Sequence, residues 1–142
     1  MKILVATDGS KPAIHAVKYA VKLLRALSST SNSITLISVH DDVALRHAKS
    51  FVGKEAVADY LRELSEKELK PAQKLLDSAG IKHDMEVRTG HVAREIVRCA
   101  KTGKFDLIAL GAKGRGAIAD LLLGSVAQRV LTMAEMPVVL VK

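Results

Sequence analysis

The chain has 142 residues, 49% hydrophobic and 26% charged, the size and balance of one soluble globular domain; a wholly disordered chain is excluded. No apolar stretch approaches the roughly 18–20 residues that span a bilayer, and Asp8 comes too early for a signal-peptide apolar region, so a cytoplasmic protein is expected. The net charge is +7, but residues 1–71 carry 11 basic and 8 acidic side chains and residues 72–142 carry 11 and 7. There is no basic tail, and the aromatics (Tyr19, Phe51, Tyr60, Phe105) are too sparse for a base-stacking platform.

Lys2–Thr7 is an almost purely apolar run, the pattern of a strand buried on both faces of a parallel sheet. Asp8-Gly9-Ser10 turns the chain, with Ser10 placed to cap a helix and Pro12 suited to its first turn. Ala13, Val17, Ala20, Leu24 and Leu27 recur at helical spacing and predict a helix over 11–28. After the polar turn Ser28–Asn32, Ser33–Val39 alternates as a second strand. Residues 40–53 read as irregular. A long helix follows over 54–79, with Pro71 predicting a kink or break and Gly80 a stop.

Lys82–Arg88 reads as a third strand, 92–102 as a short helix and Leu107–Leu110 as a fourth strand. Gly111–Gly124 is a glycine-punctuated loop, followed by a helix over Ser125–Met133 and a fifth strand, Val138–Val141. The strict alternation of strand and helix predicts a doubly wound parallel α/β sheet with helices on both faces. Ligands of such sheets sit outside the carboxyl ends of the strands, where the winding reverses. That rule selects Thr7–Ser10, Val39–Asp41 and Leu110-Gly111.

Within those segments the loop after the fourth strand carries the most chemistry. Gly111-Ala112-Lys113-Gly114-Arg115-Gly116 lets backbone N–H groups turn toward an anion, and Gly124-Ser125 opens a helix whose N-terminus favours negative charge. Lys113 and Arg115 add formal charge, and Ser125 a hydroxyl and an expected N-cap. A phosphate cradle and a surface loop with turn glycines both fit these residues. Gly114-x-Gly116-x-x-Ala119 matches the dinucleotide fingerprint only by letters, because a leucine-rich stretch containing Asp120 follows and Gly124 interrupts it. A P-loop is absent, as is a Gly-x-Ser-x-Gly elbow.

Elsewhere the chemistry is thin, and no catalytic or metal-ligating set is assigned. His15, His40, His47, His83 and His91 fall on different elements without paired ligand spacing. His40-Asp41-Asp42 reads as a solvated loop in preference to a metal site. His91 is expected to cap a helix or lie exposed on the surface, and Cys99, the single cysteine, to be a small packed residue, with no disulfide possible. Asp8 can shape the turn at Gly9 or face a ligand.

Taken jointly, Ile3–Ser10, Gly90, Asp106–Gly111, Leu122–Val130 and Pro137–Val141 make the chain resemble the universal stress protein family over essentially its whole length. The spacing Gly111-x2-Gly114-x9-Gly124-Ser125 is similar to that family's ATP-binding signature. The resemblance implies a Rossmann-like five-stranded parallel sheet of order 3-2-1-4-5 and a homodimer through Val138–Val141. It implies that Thr7 and Asp8 line a pocket floor and that Val39 meets an adenine. Leu110, Gly111, Lys113 and Gly114 would border ribose and phosphates, and Gly124, Ser125 and Val126 would bind phosphate. ATP, with Mg²⁺ or Mn²⁺ held through its phosphates, is the implied ligand, and an unidentified protein the implied partner. A slow ATPase and a nucleotide-free dimerising adaptor are the competing readings. Ala112 and Val92 depart from the family pattern, where a hydroxyl residue and proline are frequent.

Overall fold

The computed structural model describes residues 1–115 and 122–142. Its elements are β1 (Lys2–Ala6), α1 (Lys11–Ala26), β2 (Ser33–Asp41), α2 (Asp42–Val52), α3 (Lys54–Ala79), β3 (His83–Gly90), α4 (Val92–Thr102), β4 (Leu107–Gly111), α5 (Ser125–Met133) and β5 (Val138–Val141). All strand pairs are parallel, in the order β3-β2-β1-β4-β5, as the family resemblance implied. The chain winds one way from β1 to β3 and the other way from β4 to β5. The reversal falls between β1 and β4.

The central strands are apolar throughout because both of their faces are covered. In β1, Ile3 and Val5 pack against α1 and α3, while Leu4 turns to α4 and α5; in β4, Leu107 and Ala109 alternate with Ile108 and Leu110 in the same way. Ile3, Leu4 and Val5 are fully buried. Each such side chain contributes about 1.5–3 kcal/mol relative to exposure, so these strands hold the sheet edge above them rigidly.

Local signals set most helix ends. Ser10 caps α1, its hydroxyl accepting the Ala13 N–H at 3.4 Å, and Gly80 closes α3 in the left-handed region at φ +66°. His91 caps α4, with Nδ1 accepting the Arg94 N–H at 3.3 Å, as expected. Two expectations, a break at Pro71 and an irregular stretch over 40–53, are corrected. Pro71 does not break α3, which runs for 26 residues; Leu69, Ala72 and Leu76 are buried on both sides of the proline and clamp the helix to the sheet. Residues 40–53 are not irregular. β2 continues to Asp41, whose carboxylate accepts the Val43 N–H at 2.8 Å and starts α2.

Positions 116–121 of the expected glycine loop lie outside the described residues. Among the described residues no helix is long and apolar enough to cross a membrane.

Candidate functional site

A cavity of about 410 Å³ opens at the carboxyl edge of the sheet, at the reversal between β1 and β4. All ten residues singled out from the sequence line it: Thr7, Asp8, Val39, Leu110, Gly111, Lys113, Gly114, Gly124, Ser125 and Val126. Sequence reasoning missed Ala6, Ala13, Ile37, Val92, Ile96 and Ala127 and did not place Arg115 among the site residues. The α4 contribution was the hardest to foresee. Val92 and Ile96 read simply as a core stripe, and Ile96 is indeed core; only the winding of the sheet brings that stripe beside Val39.

The two ends of the cavity differ chemically. Ile37, Val39, Val92 and Ile96 form an apolar end between β2 and α4. The other end is made by Asp8, the backbone of Gly111–Arg115 and the start of α5. These distant segments are stitched together by backbone bonds. The Ala112 N–H donates to the Val141 carbonyl at 2.8 Å, and the Gly124 N–H donates to the Ala112 carbonyl at 2.7 Å. Gly124 is thereby folded back beside Lys113 and Gly114.

Asp8 is the second stitch, and it both shapes the turn and faces the cavity. One carboxylate oxygen accepts the Ser10 N–H at 2.9 Å and the other accepts the Arg115 N–H at 3.1 Å. Thr7 supports the same turn, its hydroxyl accepting the Gly9 N–H at 3.1 Å. Close approach explains two glycines here. A Cβ on Gly114 would lie 2.9 Å from Asp8 Oδ2, and one on Gly111 would lie 2.7 Å from the Pro12 Cβ.

Ser125 is not the N-cap of α5. Gly124 takes that position with extended backbone angles, and Ser125 is already the first helical residue. Gly124 supplies no side-chain cap, and the first turn holds no acidic residue. The helix therefore presents its first N–H groups and the partial positive charge of its dipole to the polar end of the cavity. Lys113 and Arg115 add two formal charges to that end. The arrangement suits an elongated ligand, apolar and planar at one end and anionic at the other.

His40 corrects another expectation. It lies within β2, buried at 8% exposure, and its Nε2 is 2.9 Å from the Ser65 hydroxyl of α3. It is not a solvated loop residue; among the described residues no group of three or more His, Cys, Asp and Glu side chains could hold a metal. Asp8 is the sole carboxylate among the described lining residues. It offers a metal one carboxyl group, so a divalent ion would need phosphate oxygens to complete its ligand set.

Cys99 lies outside the cavity and is packed, as expected. Burial, with its hydrogen bond to Glu86 (3.1 Å), pushes its thiol up to about 12. That thiol bond, with those from Arg88, holds the Glu86 carboxyl below its ordinary range. A thiol so seldom ionised is no nucleophile.

The doubly wound sheet defines a Rossmann-like α/β protein, and its cavity lies at the switch point where such sheets take their ligands. The profile of the universal stress protein family matches residues 1–142, and the chain belongs to that family. The universal stress protein MJ0531 of Methanocaldococcus jannaschii is 34% identical over 99% of this chain and 81% of its own length. The solved structure of the hypothetical protein MJ0577 of the same organism superimposes with a TM-score of 0.80 at 27% identity, covering 99% of this chain and 94% of that one. A universal stress protein of Archaeoglobus fulgidus, solved in complex with dAMP, shares the fold at a TM-score of 0.70 and 21% identity, covering 100% of this chain and 98% of that one.

Proposed function

We propose that the chain binds an adenine nucleotide, ATP, in this cavity and acts in the cytoplasm as a homodimeric, nucleotide-dependent sensor or partner-binding module of the stress response. The observation that carries the reading is the convergence of the glycine loop, the α5 N-terminus, Lys113 and Arg115 on the polar end of a cavity whose other end is apolar. Backbone N–H groups and a helix N-terminus bind phosphate through charge-assisted hydrogen bonds. Ile37, Val39, Val92 and Ile96 give an adenine ring an apolar slot, and the backbone of β2 can read its edge. The cavity volume lies within the usual range for small-ligand sites. The A. fulgidus protein solved with dAMP has the same fold.

Mg²⁺ or Mn²⁺ would enter with the phosphates, with Asp8 the one carboxylate among the described lining residues. Hydrolysis would need a side chain to position water. Asp8 has both oxygens engaged by backbone N–H groups and is poorly placed for that task.

The dimer reading rests on β5. It forms one edge of the sheet, and all four residues of Val138–Val141 are only partly covered. An apolar edge strand is a template for pairing, and a second copy would satisfy it. Nucleotide analysis of heat-denatured purified protein and light scattering test the two parts. Co-purified adenine nucleotide and a mass twice 15.3 kDa are the expected results. A nucleotide-free protein that also gives no heat with ATP is a plain adaptor, and a monomer at micromolar concentration removes the dimer.

A further inference from the structure

The Arg115 side chain runs from the cavity rim toward α3, on the other face of the sheet. The apolar end of the cavity lies under α4, whereas α3 packs on the opposite face. Arg115 passes over Gly9 (φ +78°), where a Cβ would lie 2.8 Å from its Nη2 and 3.2 Å from the Glu68 Cα. Its Nη1 reaches Glu68 Oε1 of α3 at 4.0 Å, the outer limit of an ion pair and too long for a hydrogen bond. Arg115 is half-exposed at 51%, while the Glu68 side chain is 10% exposed.

Glu68 belongs to a buried polar cluster that fixes the middle of α3 to β2. The Ser38 hydroxyl donates to Glu68 Oε2 at 2.9 Å, and the Ser65 hydroxyl donates to the Leu61 carbonyl at 2.6 Å. Both serine protons are thus spent, so the His40 Nε2 must be the donor in its bond to Ser65. The cluster also marks a change along the helix. Toward the C-terminus, Leu69, Ala72 and Leu76 are locked into the core; toward the N-terminus, Val57 is the one buried apolar residue of α3. On either side of it, Tyr60 of α3 and Phe51 and Val52 of α2 are exposed. Glu68 therefore stands where the anchored half of α3 meets its lightly held half.

We propose that Arg115 is a specificity-determining residue that exchanges Glu68 for the outer phosphates of the nucleotide, so that α3 reads the phosphate length of the bound ligand. The proposal rests on the nucleotide reading above. A phosphate offers the guanidinium short, bidentate, charge-assisted bonds that the 4.0 Å contact with Glu68 does not supply. A monophosphate is served by the glycine loop and the start of α5. Only a longer polyphosphate extends from the apolar end under α4 across the strand edge to Arg115. When Arg115 turns to phosphate, Glu68 keeps Ser38 but loses its cation, and the N-terminal half of α3 is held less tightly.

Titration calorimetry and hydrogen exchange on the full chain, with ATP and with AMP, test this. In the wild type, ATP is expected to speed exchange of amides 57–68 relative to 69–76, and AMP to leave that ratio unchanged. Arg115→Gln is expected to weaken ATP binding at least about tenfold more than it weakens AMP binding, and to show no ATP-dependent change in α3. Glu68→Gln is expected to show fast exchange at 57–68 with or without ATP. ATP binding with no change in α3 exchange, or an ATP-to-AMP affinity ratio untouched by Arg115→Gln, overturns the proposal and leaves the nucleotide reading standing. Absence of binding by either nucleotide to the wild type overturns both.

Discussion

The carboxylate of Asp8 accepts the backbone N–H of Arg115 at 3.1 Å, joining the turn after β1 to the loop after β4 across 107 positions of sequence. Its other oxygen holds the Ser10 N–H at 2.9 Å. One side chain thus sets the separation of the two loops that face each other across the cavity.

Asp8→Ala removes both acceptors at once. The substitution is expected to cost about 1–2 kcal/mol of stability and to weaken nucleotide binding more than it weakens folding. Asp8→Asn keeps one acceptor oxygen and should recover part of the stability. Urea unfolding beside calorimetry separates the two effects.

Two glycines of the loop should respond differently to a side chain. Gly111→Ala places a Cβ 2.7 Å from the Pro12 Cβ and 2.8 Å from its carbonyl carbon, a clash between β4 and the start of α1. Overpacking of this kind costs about 1–3 kcal/mol, so the thermal midpoint should fall. A Cβ at Gly124 comes no closer than 3.4 Å to Lys113 and is accommodated, with backbone angles that valine also adopts. Gly124→Val should fold and lose the ligand, because its methyl groups fill the approach to the backbone.

Ser65→Ala leaves the His40 Nε2 without its 2.9 Å partner in a buried site. A lost buried acceptor costs about 1–3 kcal/mol. Added zinc should not restore that stability; restoration would return His40 to the role of a metal ligand.

Cys99 fixes the sign of an alkaline effect. Its folded pKa, about 12, lies above the ordinary 9.0, so the folded chain keeps a proton that the unfolded chain gives up. The associated stability is complete below about pH 9 and is lost as pH rises toward 12. The difference in urea midpoint between wild type and Cys99→Ala should therefore shrink above pH 9. Glu86 acts at the other extreme. Its carboxyl is lowered from 4.5, so its contribution is present above that value and lost as pH falls below it. In the folded chain Cys99 should resist thiol reagents at neutral pH.

Most of the frame was legible because buried parallel strands leave uninterrupted apolar runs, as Ile3–Val5 and Leu107–Leu110 do. The site was legible for a related reason: strand ends at the reversal and the Gly111-x2-Gly114-x9-Gly124 spacing are local features of the sequence. What escaped notice depended on long-range packing. α2 shows no broad buried stripe to betray it; among its described side chains Leu45 is the one buried hydrophobic, and Phe51 is 87% exposed. Asp41 before it and Gly53 (φ +85°) after it were the signals available. His40 looked solvated because nothing local announces that α3 brings Ser65 over it. Arg115 could be counted as a positive charge near the glycines, but its reach across Gly9 to Glu68 exists only in three dimensions.

The central claim, that the cavity holds ATP by its phosphates, is tested most directly by titrating Mg²⁺-ATP into wild type and Gly124→Val side by side in a calorimeter. The expected result is saturable heat with one site per chain in the wild type and none in the variant, with both proteins folded. No heat from the wild type at millimolar ATP, or equal binding by both, would contradict it.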